Sequence, residues 1–463
     1  MGNFLFDNFD AVSAKQWKQK IQVDLKGADY NETLLWKTNE GITVKPFYHE
    51  DEVEQLLIPS SDKNVDICQS IFISDEKTAN FLAKDALNRG ANSIQFEANE
   101  TFDIDILLQN ISFKTRSVEG CSSIHFKLNF LSDKFLSDLI EKTKQCNIFL
   151  NIDLIGNLSK TGNWFYNQKE DHQILDKILS KAAKNTTLLS VDVSQYQNAG
   201  ANTIQQIAYA LAHANEYLNH IKDSEFTSNI MPKSFQFNFA VGSNFFFEIA
   251  KLRAFRYIWQ LLLDEYQLKI EANIFVQPSL RNKAIYDFNV NMLRTTTECM
   301  SAILGGATTI ANISYDSIYH KKNEFGERIA RNQLLILQEE SYFKEAAQFA
   351  DGSYYIETLT KQIAEKALTI FKDIEKSGGF LKQLHEGTIQ RKIEESAEKE
   401  QMDFDNGEEV LLGTNKHPNL NDSMKDDIEL YPFVKTKPRK TLIKPIIAKR
   451  LAEKLEQERL EKE

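Results

Sequence analysis

Eight short apolar runs alternate with helix-patterned stretches through the middle of this 463-residue chain, and that alternation confines it to the α/β class. The runs are 66–73 (DICQSIFI), 92–98 (NSIQFEA), 122–129 (SSIHFKLN), 147–155 (NIFLNIDLI), 187–193 (TLLSVDV), 234–240 (SFQFNFA), 268–276 (LKIEANIFV) and 307–313 (ATTIANI). Each is rich in Ile, Val, Leu or Phe, the pattern of strands buried on both faces of a parallel sheet. Between them, 203–221 sets Ile204, Ile207, Ala208, Leu211, Leu218 and Ile221 on one helical stripe. The segment 245–263 is apolar on more of its surface and predicts a well-buried helix, and 283–304 follows the same plan. About eight βα units match a (β/α)8 TIM barrel. An open doubly wound sheet is the alternative, but its usual glycine-rich phosphate loops, GxGxxG or GxxxxGK[ST], do not occur.

Outside the barrel the chain changes character. Residues 1–60 hold no βα unit and read as an arm, with a short helix over 12–23 and an extended piece at 41–48. Residues 61–380 make up the barrel. Residues 381–463 form a charge-segregated tail, with 13 acidic against 5 basic residues over 386–429, then 7 basic and none acidic over 435–450. The stretch 441–463 predicts a charged helix with a thin stripe at Ile447, Leu451 and Leu455, either solvated or packed on a partner. Gly 18 and Pro 8 leave no room for a collagen-like chain or a long flexible linker.

A net charge of −11 argues against nucleic acid or an anionic membrane as the partner. No segment reaches the roughly 18 apolar residues of a membrane span. Residues 1–10 lack the basic start and apolar run of a secretory signal. Gly2 invites myristoylation, but Phe6 stands where Ser or Thr is wanted. Cys68, Cys121, Cys146 and Cys299 form no CxxC pair and sit in apolar stretches, as reduced thiols of a cytoplasmic protein do.

In a barrel, catalysis sits at the C-terminal strand ends. Those positions hold Asp75 and Glu76, Glu97, Asn129, Asp153, Ser194 to Asn198, Gly242 to Asn244, Gln277, and Asn312 with Tyr315 and Asp316. The set is polar but dominated by amides, which do no acid–base work at neutral pH. His125 lies within the third run and reads as a hydrogen-bonded sheet histidine. His172, His213 and His220 read as exposed helix positions, His320 as part of a lysine-flanked loop, and His385 and His417 as tail residues. No HExxH or clustered His/Cys/Asp set points to zinc. Asp153 and Glu97 are either a carboxylate pair or separate structural acids. The residues alone describe an α/β barrel with no assembled catalytic set.

Several motifs resemble the methylmalonyl-CoA mutase family. NFFFEIAKLRAFRYIW (244–259) is similar to that family's helix after barrel strand six, and RIARNQLLILQEES (328–341) to its helix after strand eight. DGSYYIETLT (351–360) resembles the signature that follows, and YQNAGANTIQQIAYAL (196–211) the strand-five turn and helix. DLKGADYNETLLWKTNEGITVKPFY (24–48) resembles the family's small (β) subunits.

The resemblance implies a radical rearrangement of methylmalonyl-CoA and succinyl-CoA with adenosylcobalamin. In the family's catalytic chains the acyl-CoA lies along a barrel axis, and cobalamin sits between the barrel and a Rossmann-like domain carrying Asp-x-His-x-x-Gly. This sequence departs from that pattern. It has no Asp-x-His-x-x-Gly, and the resemblance then implies a chain with no cobalamin-binding domain. After strand one it reads QSIFISDEKTAN (69–80) in place of an Arg-x-Tyr segment. Tyr196-Gln197 stands where a Tyr-His pair is expected, and Gln277 lies in a segment, 276–281, that replaces Ser-Gln-Thr-Ser-Gly. An amide at 197 donates a hydrogen bond but cannot become a cation. The implied reading is a non-catalytic small subunit with degenerate positions Tyr196, Gln197 and Gln277. It holds no cofactor or metal itself and pairs as a heterodimer with a large (α) subunit that binds adenosylcobalamin. Arm and tail are the expected partner contacts. A catalytic acyl-CoA-binding chain served by a separate cobalamin polypeptide, or a scaffold without a mutase partner, are the alternatives.

Overall fold

The computed structural model describes residues 10–59, 64–113, 120–183, 185–223, 232–345, 349–435 and 438–463. Eight parallel strands close into a barrel in chain order: β1 (Asp66–Phe72), β2 (Ser93–Ala98), β3 (Ser123–Leu128), β4 (Ile148–Ile152), β5 (Thr186–Asp192), β6 (Ser234–Val241), β7 (Glu271–Pro278) and β8 (Thr309–Ile310). All eight expected runs are strands. The open-sheet alternative fails because β8 pairs with both β7 and β1. Of the run 307–313 only Thr309 and Ile310 form β8. Just beyond, the Asn312 side chain accepts the Ile313 N–H at 2.9 Å, a local turn that takes the backbone out of the ladder.

Each strand is followed by a helix: α1 (Glu76–Asn88), α2 (Ile104–Leu108), α3 (Asp133–Lys142), α4 (Gln168–Leu179), α5 (Thr203–Asp223), α6 (Phe245–Tyr266), α7 (Val290–Leu304) and α8 (Glu324–Leu335). The helix expected over 283–304 starts later, at Val290. The two-residue side-chain period of a strand sends Phe235, Phe237 and Phe239 outward onto α6, where Phe237 meets Phe255 at 4.5 Å and Trp259 at 5.0 Å between ring centroids. The alternate residues point inward and are polar: Ser93 and Ser123 hydroxyls meet at 2.9 Å.

Aromatic rings close the barrel axis. His125 stacks on Phe149 at 4.4 Å and 7°, and Phe275 lies 5.0 Å from the same imidazole. The two ring nitrogens of His125 are bonded to Gln236 Oε1 at 2.8 Å and Ser123 Oγ at 3.2 Å, as expected of a hydrogen-bonded sheet histidine. Burial lowers its pKa to about 4, against the opposing pull of the Gln236 hydrogen bond. An unfolded histidine takes up its proton near pH 6.5. The folded value is depressed, so the stabilisation from a neutral His125 is complete above pH 6.5 and is lost as the pH falls from there to about 4. Over that window His125 should remove about 3 kcal/mol of stability. Urea midpoints at pH 7 and pH 4 should therefore diverge less in His125→Gln than in the unsubstituted chain, and parallel slopes would refute the assignment.

The arm folds back onto its own barrel. Its helix, Ala14–Asp24, opens on a Ser13/Gln16 capping box. Its two-residue strands Trp36–Lys37 and Thr43–Val44 pair antiparallel. Trp36 lies 6.0 Å from Phe247 of α6. Tyr48 lies 5.2 Å from Tyr355 on α9 (Tyr354–Lys376). The positions Gly2 and Phe6 lie outside the described residues.

The tail continues through α10 (Phe380–His385) and α11 (Thr388–Asp405), whose Phe380, Leu384, Ile389 and Ile393 join the main core. The helix expected over 441–463 is confined to α12 (Glu453–Leu460). Residues 441–452 form an irregular strap, consistent with Pro445, which has no N–H to give a helix. On this strap Ile447 is exposed while Leu451 is buried.

Candidate functional site

The C-terminal strand ends surround a cavity of about 90 Å³, lined among others by Lys127, Asn151, Asp192, Asn238 and Gln277, with Phe275 beneath. Sites for ligands of drug or cofactor size measure roughly 300–1,000 Å³. The stacked rings of His125, Phe149 and Phe275 account for the difference, because they occupy the axis below the mouth.

The three degenerate positions are not brought together. Gln277 lines the cavity. Gln197 accepts the Ser279 hydroxyl at 2.8 Å. Tyr196 is fully buried and faces the other way, its hydroxyl 2.9 Å from His213 Nδ1.

His213 corrects the expectation of an exposed helix position, for it is completely buried. It joins Tyr196 to Asp153, whose Oδ1 lies 2.8 Å from His213 Nε2 and accepts the Tyr217 hydroxyl at 2.9 Å. The Asp153 carboxylate also accepts the N–H groups of Gly156 (2.7 Å) and Asp192 (2.8 Å), capping the helix Leu154–Thr161. A Cβ at Gly156 would strike that carboxylate, so the capping turn requires glycine. Burial alone pushes the Asp153 carboxyl up, but His213 and the two backbone donors outweigh it and hold it below the usual range. The same burial, beside the Asp153 charge, raises Tyr196 and Tyr217 well above ordinary phenols, so both remain neutral donors. Glu97 is elsewhere, 3.4 Å from Asn129 Nδ2. The two acids are therefore separate, and Asp153 is a structural carboxylate.

His172 and His220 are half-buried rather than exposed, 4.7 Å apart between ring centroids, with His220 on Asp176 at 2.8 Å. Asp75 caps α1 through the Thr78 N–H. Asp316 takes hydrogen bonds from Ser314 and Asn323. Among the described residues no group of three His, Cys, Asp or Glu is arranged to hold a metal ion, and all four cysteines are buried thiols. No described histidine lines the mouth, and the nearby buried His125 and His213 have both ring nitrogens engaged, so these residues do not fit a cobalt-ligand role.

The strap crosses the loops beside the cavity, an arrangement that no motif announced. Gly162 O accepts the N–H groups of Leu442 and Ile443, and Ser159 O accepts that of Ile446. The Lys449 N–H donates to Asn198 O, and the Leu451 N–H to Arg281 O. Arg281 answers with its guanidinium, donating to Lys449 O at 2.8 Å and pairing with Glu400 of α11 at 2.5 Å. Arg281 and the basic run 435–450 are both present in the sequence, but sequence alone does not pair them.

Comparison with known proteins places the site in context. A family model described as methylmalonyl-CoA mutase matches residues 100–461. The chain is 32% identical over 456 residues to the methylmalonyl-CoA mutase small subunit of Porphyromonas gingivalis, covering 92% of this chain and 73% of that one. It is 27% identical to a methylmalonyl-CoA mutase of Cereibacter sphaeroides, over 87% of this chain and 64% of that one. It is also 27% identical to the human mitochondrial methylmalonyl-CoA mutase, over 87% and 60%. The chain thus spans less than two thirds of the latter two relatives. No helix among the described residues is long and apolar enough to cross a membrane.

Proposed function

Because this chain belongs to the methylmalonyl-CoA mutase family, we propose that it is the small, non-catalytic subunit of a heterodimeric mutase. In this reading a large subunit holds adenosylcobalamin and interconverts methylmalonyl-CoA and succinyl-CoA in the cytoplasm, within propionate metabolism. The present chain supports and stabilises that partner.

The observation that carries the reading is the filled axis. An acyl-CoA threaded along a barrel needs an open channel, and here the rings of His125, Phe149 and Phe275 meet across it. The nearest acid–histidine constellation, Asp153 with His213, is buried and fully hydrogen-bonded, so it offers no proton to a substrate at the mouth. On the outside, the arm presents Trp17 at 48% and Leu57 at 91% exposure, apolar surface of the kind a partner covers.

The test is co-expression with a large mutase chain. A one-to-one complex is expected, with one cobalamin per complex and none retained by this chain alone. If this chain alone turned over methylmalonyl-CoA with added adenosylcobalamin, the proposal would be wrong and the catalytic alternative right.

A further inference from the structure

Three acids of the tail grip three consecutive residues of the β7–α7 loop. Glu456 Oε1 accepts the Ile285 N–H at 2.8 Å, Glu463 Oε1 the Tyr286 hydroxyl at 2.7 Å, and Asp422 Oδ2 the Asp287 N–H at 2.7 Å. The β8–α8 loop is held as well. Tyr319 O accepts the N–H groups of Glu429 and Leu430, and Glu429 Oε2 accepts that of Lys321 at 2.9 Å. Two tail segments, 419–434 and 450–463, thus cover both loops.

The two segments are also fastened to each other. Glu463 Oε2 accepts the Ser423 hydroxyl at 3.0 Å and the N–H groups of Met424 at 2.9 Å and Lys425 at 3.0 Å. Arg459 lies 3.8 Å from the Tyr286 ring centre and donates to Asn419 O and Asp422 O. Glu453 Oε2 accepts the Val434 N–H at 3.3 Å. Neither segment can leave the loops without breaking its bonds to the other.

Their apolar anchors stand apart from the barrel core. Leu451 and Ala452 pack with Ala284, Phe404 and Leu411, and Met424 and Phe433 with Ile285, Tyr286 and Tyr319. The strap between the two segments is anchored differently, for its Ile443 and Ile446 belong to the main core. Regions held by few buried apolar side chains and many polar bonds open at a lower free energy than the core does. The strap is therefore the fixed point, and the two segments are the part free to lift.

We propose that 419–434 and 450–463 form one lid over the β7–α7 and β8–α8 loops, which opens as a unit about the strap while the barrel stays folded, with the Glu463 side chain as its latch. The lid needs no partner chain and no catalytic role, so it stands or falls separately from the subunit reading.

Native-state amide exchange of the full chain, read by mass spectrometry, tests this. The hydrogen-bonded amides of 283–287, 419–434 and 450–463 are expected to share one protection factor, at least tenfold below that of β2 to β5. Glu463→Gln should lower that shared protection about tenfold, the scale of lost charge-assisted hydrogen bonds, and leave β2 to β5 unchanged. Tyr286→Phe removes one donor to the latch and keeps the ring, so it should act in the same direction by a smaller factor. Tail amides as protected as the barrel strands would overturn the proposal. So would a response to Glu463→Gln confined to 450–463, the mark of two independent segments, or one shared equally by β2 to β5, the mark of global unfolding.

Discussion

Arg450→Ala is expected to cost about 3–5 kcal/mol of unfolding free energy, the range for stripping one partner from a buried ion pair. Arg450 Nη1 lies 2.6 Å from Glu456 Oε2, with the two side chains 6% and 0% exposed. The guanidinium also donates to Lys283 O at 3.0 Å and to Pro432 O, tying strap, tail and the β7–α7 loop together. The other Glu456 oxygen accepts the Ile285 N–H at 2.8 Å. Burial already pushes the Glu456 carboxyl up, with Arg450 the main counterweight, so removing the arginine leaves a buried acid with little to hold its charge. Replacing both residues, as in Arg450→Met with Glu456→Leu, should recover most of the loss, since an apolar pair of similar volume is often neutral. About 1 kcal/mol should remain for the orphaned Ile285 N–H. A double-mutant cycle by urea unfolding reads the coupling directly. A single-variant loss under 1 kcal/mol would show that the tail does not depend on this pin.

Asp153→Ala is expected to have an effect of the same size, about 3–5 kcal/mol, through a different mechanism. The carboxylate satisfies His213, Tyr217, Gly156 N–H and Asp192 N–H at once, and His213 has no exposure to water from which to find another acceptor. Asp153→Asn keeps the shape but turns an amide donor toward one of those four donors, so it should lose less than alanine and more than nothing. Because the folded carboxyl lies below its usual range, its contribution is present above the ordinary carboxylate pKa and is lost as pH falls through the folded value. The gap between the unsubstituted chain and Asp153→Asn should therefore hold at neutral pH and narrow in strong acid. A gap that widened on acidification would contradict this assignment.

The barrel was legible in the residues because a strand covered on both faces must be apolar along its length, and runs such as 234–240 can be nothing else once helices flank them. His213 was not legible. The stripe over 203–221 suggests a helix with one buried face, but α5 lies under α9 and α10 as well, so Tyr209 to Ala214 are all buried. The neighbours of His213, all Ala, Leu or Tyr from 208 to 212, were the available signal. The strap departs from the expected helix for the opposite reason: the periodicity of Ile447, Leu451 and Leu455 suggests a helix, but Pro445 has no N–H to give one and 441–452 is irregular. At the mouth, sequence gave Gln277 its place and the amide-rich chemistry its character. It could not set Tyr196 behind the wall, since that placement rests on the long-range hydrogen bond of its hydroxyl to His213.

The filled axis is tested most directly by equilibrium binding of succinyl-CoA to the purified chain. With His125, Phe149 and Phe275 across the barrel, no saturable binding should occur in the micromolar-to-millimolar range where enzymes of this size hold their substrates. One-to-one binding within that range, weakened by substitution of Gln277, would mean that the barrel opens to an acyl-CoA and that this chain is a catalytic one.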